Sequence, residues 1–234
     1  MLPTVALIVA ALLVVEAAPA SSPSSEELTA AQVLERMAAT YSGCKSYRDV
    51  GLVKTVFVYP HRSWTVTKFF TTAFVRPDHF RFAYQEGESE EKRRYIVWRQ
   101  GAEVRTWWDL KSPPNQPKDS LDLALAAATG VSSSSAHTVP ALLLPGEVGG
   151  RRLTEMTEIS RSKDALQEGS DCMRIEGKYG GYPTQVWIEK KSFLIRRIDT
   201  QVAFDKFRTE QTTTYVPAVD QAVSDDLLEF TPPG

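Results

Sequence analysis

The shortages in this sequence set its first bounds. Its 234 residues include two cysteines and three histidines, and the formal net charge is −2. Cys44 and Cys172 alone cannot build a structural zinc site, and His61, His79 and His137 sit at no ligand spacing, so no metal and no cofactor is expected. A balanced surface lacks the basic excess that recognises phosphates, which removes nucleic acid as a partner. The longest apolar run, residues 5–15, is eleven residues, well short of the about 20 a membrane-spanning helix needs. No glycine loop that could cradle phosphate follows a strand, and Gly149-Gly150 and Gly180-Gly181 read as turns. Residues 132–135 set four serines near His137. A nucleophilic serine needs a fixed turn and an orienting acid, and a serine run supplies flexibility instead. The acidic pairs Glu90-Glu91 and Asp225-Asp226 lie in polar stretches and read as solvated. No residue is assigned a catalytic role.

What is present begins with an export signal. Residues 5–15 read VALIVAALLVV, and Ala18-Pro19-Ala20 follows with small residues where signal peptidase cuts. This predicts a signal peptide over residues 1–20, although residues 1–4 carry no Lys or Arg. Residues 21–25, SSPSS, read as a linker, and 26–234 as one domain. The mature chain is expected to be soluble and periplasmic or otherwise extracytoplasmic. In an oxidising compartment Cys44 and Cys172 either form a disulfide, which would constrain the unfolded chain by about 4–5 kcal/mol, or remain two buried thiols.

Periodicity then gives the fold class. Ser24 and Glu27 form a capping-box pattern opening a helix to about Tyr41, with Leu34, Met37, Ala38 and Tyr41 on one face. Afterwards the period becomes two. Trp64, Val66, Phe70 and Phe74 share a face, Phe80, Phe82 and Tyr84 alternate with polar neighbours, and residues 95–99 and 104–108 make a hairpin across Gln100-Gly101. Residues 112–119 read as a loop, and two short, apolar helices are expected over 121–128 and 138–144. Strand character returns over 155–160, 172–178, 184–189, 193–204 and 208–216. The prediction is a mainly β domain, an antiparallel meander interrupted by two apolar helices.

Particular segments sharpen this. Arg76-Pro77-Asp78-His79-Phe80-Arg81-Phe82, followed by strands bearing Trp98 and Trp107-Trp108, resembles the signature region of LolA-type periplasmic lipoprotein carriers. Trp187-Ile188-Glu189 with Leu194 resembles their Trp-Ile-Asp hairpin, with Glu189 in place of Asp, and the ending Leu228-Glu229-Phe230-Thr231-Pro232 resembles their Phe-x-Pro close. The resemblance implies a strongly curved antiparallel half-barrel, covered by the N-terminal helix and two short lid helices, with lipid or lipoprotein acyl chains held between. It implies a lid latch at Arg76, which would bond lid-helix carbonyls, and an apolar cavity with Phe80, Phe82, Trp98, Trp108, Leu121, Leu125 and Leu142 around it. A membrane-bound donor or acceptor would be a further partner. The expected function is a non-enzymatic carrier or sensor. Its rivals are a ligand-free structural or interaction protein of the envelope and an exported hydrolase.

Overall fold

The computed structural model describes residues 28–87, 93–109 and 115–232. The expected signal peptide, the linker and the Ser24/Glu27 pair lie outside the described residues. Helix α1 (Ala30–Gly43) opens on a different capping box. The Thr29 hydroxyl accepts from Gln32 N at 3.3 Å, and Gln32 Oε1 accepts from Thr29 N at 2.9 Å. Leu28 and Val33, the residues flanking that box, are both buried, which fixes the angle at which the chain enters the helix.

Twelve strands form one open antiparallel sheet, curved into a half-barrel and not closed into a barrel. The first meander is β1 (Ser46–Tyr59), β2 (Arg62–Val75), β3 (His79–Glu86), β4 (Arg93–Gln100), β5 (Glu103–Trp108) and the short β6 (Asn115–Pro117). The second is β7 (Thr157–Gln167), β8 (Ser170–Tyr179), β9 (Tyr182–Glu189), β10 (Ile195–Ala203) and β11 (Arg208–Tyr215). They join because β1 pairs with both β2 and β11, and β12 (Ala218–Val219) adds to its start. The stretch expected as a loop over 112–119 thus supplies an edge strand, β6, paired with β5. Between β6 and β7 the chain crosses the sheet as α2 (Leu121–Val131), α3 (Ser135–Thr138) and α4 (Pro140–Leu143). A last turn, α5 (Asp225–Leu228), precedes the C-terminal residues.

Alternation decides what each face holds. Tyr47, Val53, Phe70, Phe74, Phe82, Val97, Ile175 and Ile188 point inward and form one apolar cluster with α1 and the crossing helices. Gly51 lies under this face for a steric reason: a Cβ there would meet the Phe70 ring at 2.0 Å. The outward face carries a second, smaller cluster of Ile96, Trp98 and Trp107, on which Phe230 packs at 5.1 Å from Trp98 and 5.6 Å from Trp107.

Candidate functional site

The side chain that follows β2 binds the helix ends together. Arg76 donates from Nε to Cys44 O at 2.8 Å, and from Nη2 to Ser42 O at 2.5 Å and Leu143 O at 2.8 Å. Its guanidinium also lies 5.1 Å from the Phe74 ring centre. Helices α1 and α4 both end here, and the last carbonyls of a helix have no partner within it. One planar cation with five donors serves several of them at once. Arg76 therefore joins α1 to α4, with two of its three bonds at the end of α1 and one at the end of α4, and does not bond the crossing helices alone.

A second cation holds the middle of the crossing segment, where α2 ends. Lys68, on the inward face of β2, donates from Nζ to Val131 O at 2.7 Å and to Ser133 Oγ at 3.0 Å. Gln211 Nε2 adds a bond to Ser133 O at 3.2 Å. Burial lowers the pKa of Lys68, and Glu86 nearby works against the fall. Sequence reasoning missed Lys68, although a lysine between Val66 and Phe70 in the two-residue period interrupts an apolar stretch of that face.

The serine run is part of the same fixture. Ser135 Oγ donates to Ser132 O at 2.8 Å, and Ser132 Oγ accepts from Ala136 N at 3.1 Å. His137 Nε2 lies 2.7 Å from Gly149 O. Ser133 and Ser134 take left-handed conformations, φ 54° and 70°. The run is thus a hydrogen-bonded break between α2 and α3, not the flexible stretch that its composition suggested.

Of the expected cavity residues, Phe80, Phe82, Leu121, Leu125 and Leu142 come together between the sheet and the crossing helices, each at most 3% exposed and packed into the main cluster. Trp108 joins them at its edge, against Tyr95 with ring centres 5.6 Å apart. Trp98 does not join them. Neighbouring residues of a strand point to opposite faces, and Val97 takes the inward position, so Trp98 lies outside under Phe230. The packed part of the concave face leaves no room among those side chains.

Two cavities flank the turn from Val131 to Ser133. One cavity of about 320 Å³ sits between Ser133, Ser134, Ser135 and Thr138 above and Ile198, Val202, Thr209 and Tyr215 below. Another of about 250 Å³ is bounded by Lys68, Tyr84, Glu86, Arg93, Trp108 and Val131. A larger hollow of about 620 Å³ runs over β8 to β11, but Glu176, Arg197, Asp199 and Glu210 line it and suit no apolar ligand.

Two further features bear on the site. The expected bridge between Cys44 and Cys172 is not formed, and both are free and buried. Cys44 closes α1 on the concave side. Met173 and Ile175 take the inward positions of β8, which turns Cys172 to the outer face. Burial raises both thiols to about 11. Asp49 is buried in the concave floor, where Tyr47 Oη donates to it at 2.7 Å and Thr72 N at 2.8 Å. Burial pushes its carboxyl up to about 6, and these two donors work against the rise.

Among the described residues no group of three or more His, Cys, Asp or Glu could hold a metal ion, and no helix is long and apolar enough to cross a membrane. No family model and no curated protein matches the chain. Solved structures do. The chain is similar to LprF from Mycobacterium bovis (TM-score 0.44, 11% identity, 87% of this chain and 97% of that one). It is similar to an outer membrane lipoprotein-sorting protein domain from Vibrio parahaemolyticus (0.37, 11%, 84% and 94%). It is also similar to a LolA superfamily protein from Nitrosomonas europaea (0.33, 12%, 87% and 98%). At such identities the likeness is one of chain course, and it carries no ligand or partner with it.

Proposed function

We propose that this chain is an extracytoplasmic, non-enzymatic carrier or sensor that takes an acyl chain, or the lipid-bearing end of a protein, beneath the lid of its half-barrel. Residues 1–20 would direct export and be removed. The observation that supports the reading best is Arg76, whose three carbonyl bonds clamp α4 to α1. A lid held at one end and at its middle by polar contacts has a defined set of bonds to release. Once released, it exposes the apolar floor under α2 and α4 that it now covers, and the cavity beside Ser133 supplies a place for entry.

The filled packing around Phe80, Phe82 and Leu125 favours the rival reading, an envelope interaction protein whose core never opens. Organic extraction of the exported, purified protein followed by mass spectrometry separates the two. The carrier reading expects lipid at a fixed ratio to protein, and uptake of a fluorescent fatty acid by the extracted protein. A protein free of lipid that takes up no such probe supports the rival.

A further inference from the structure

Beyond the lid no described residue covers the concave face, and its character changes. Tyr59 and Trp64 stack at 5.0 Å between ring centres, Phe57 and Trp64 at 5.1 Å, Tyr59 and Phe207 at 4.9 Å, and Phe204 and Phe207 at 4.5 Å. These five rings come from the tips of two hairpins, β1–β2 and β10–β11, and they form one shelf. Trp64 is 41% exposed and Phe204 51%. The Arg62 guanidinium lies over both Tyr59 and Trp64, at 5.2 and 5.4 Å from their centres. The shelf adjoins the cavity directly, because Phe57 pairs with Thr209 and Thr209 with Val202, and both Thr209 and Val202 form the cavity floor.

We propose that this shelf seats the protein on the surface of an anionic phospholipid bilayer. Exposed Trp and Tyr with flanking Arg and Lys is the composition that settles at a membrane–water boundary, where the ring is apolar and its polar edge is wet. Charge agrees: the tips carry Arg62, Lys206 and Arg208 against Asp205 and Glu210, and Arg208 is spent on Glu210 at 2.8 Å. Size argues against a second copy. Five partly covered rings offer on the order of 500 Å², whereas a stable dimer buries about 800 Å² on each partner. A membrane contact needs no such area, since headgroup charge adds to it. Seated this way, the cavity would open next to the bilayer, and an apolar chain would pass along the Phe57–Thr209–Val202 row without crossing water. The seat does not depend on what the cavity holds.

The test is co-sedimentation of the exported, purified protein with vesicles of phosphatidylcholine alone and of phosphatidylcholine mixed with phosphatidylglycerol. Wild type should bind the mixed vesicles and bind phosphatidylcholine weakly. Trp64→Ser with Phe204→Ser should lose binding about tenfold or more, and so should Arg62→Glu with Lys206→Glu, which keeps every ring. Both variants should melt as wild type does and take up a fluorescent fatty acid with unchanged affinity, so loss of the seat and loss of the cavity are read separately. Wild type left in the supernatant with anionic vesicles, or variants that bind as well as it does, would overturn the proposal. A dimer in vesicle-free solution that the serine variant abolishes would overturn it too, in favour of a second copy.

Discussion

Lys68 Nζ stands 2.7 Å from the carbonyl oxygen of Val131, the last residue of α2, and so ties that helix end to the middle of the sheet. Lys68→Met keeps the apolar stem and removes every donor, leaving the Val131 carbonyl and the Ser133 hydroxyl without this partner. The loss of a charge-assisted, half-buried bond should lower stability by about 1–2 kcal/mol. Hydrogen exchange should quicken at residues 132–138 while β9 stays protected. Unchanged exchange there would mean that Gln211 alone holds the segment.

The thiols make the second prediction. With both cysteines free, buried and raised to about 11, the native exported protein should show the full mass, with no two hydrogens lost, and should barely react with a thiol reagent at mildly alkaline pH. Denaturation should release two reactive thiols. An intact mass two hydrogens short would restore the bridge and require Cys44 and Cys172 to meet across the sheet.

Asp49 gives a pH dependence with a definite sign. Its carboxyl is held up at about 6 in the fold, against 3.8 for the unperturbed group. Between these values the folded chain keeps a proton that the unfolded chain has released, so stability falls as pH rises through the window. The contribution is about 1.4 kcal/mol per pH unit, or roughly 3 kcal/mol across the window, and it is flat above about pH 6. Urea melts from about pH 4 to about pH 7 on wild type and Asp49→Asn isolate it, because the difference between the two profiles removes every other group. Parallel profiles would show that Asp49 titrates normally.

Much of this architecture was legible in the residues. The alternations of Phe80, Phe82 and Tyr84, the apolar helix over 121–128 and the Arg76-Pro77 segment each led to the element observed, whereas the helix expected over 138–144 is two short ones, α3 and α4. Strand β1 was not read, since its inward positions include Asp49, Gly51 and Thr55, which break an apolar stripe while still packing inside. Trp98 was placed on the wrong face because the strand holds Tyr95, Ile96, Val97 and Trp98 in succession, a run apolar on both sides. Both faces of that strand are covered, one by the core and one by Phe230, and a two-fold period carries no direction when both sides are buried. The aromatic shelf is not legible as one feature because its two groups, Phe57, Tyr59 and Trp64 in one hairpin and Phe204 and Phe207 in another, are distant in sequence and meet only through the β1–β11 pairing.

The carrier reading turns on whether the lid opens, and Arg76→Leu tests that most directly. The substitution removes the donors to Ser42, Cys44 and Leu143 and leaves the closed state about 1–3 kcal/mol less stable. An open state held by ligand loses little, so by linkage the affinity for an apolar chain should rise about 5- to 150-fold. The measurement is an equilibrium titration of a fluorescent fatty acid against wild type and Arg76→Leu, both confirmed as folded by thermal melting. Tighter binding by the variant is the predicted result. Equal or weaker binding by a folded Arg76→Leu would contradict the latch and leave Arg76 as a cap on two helix ends.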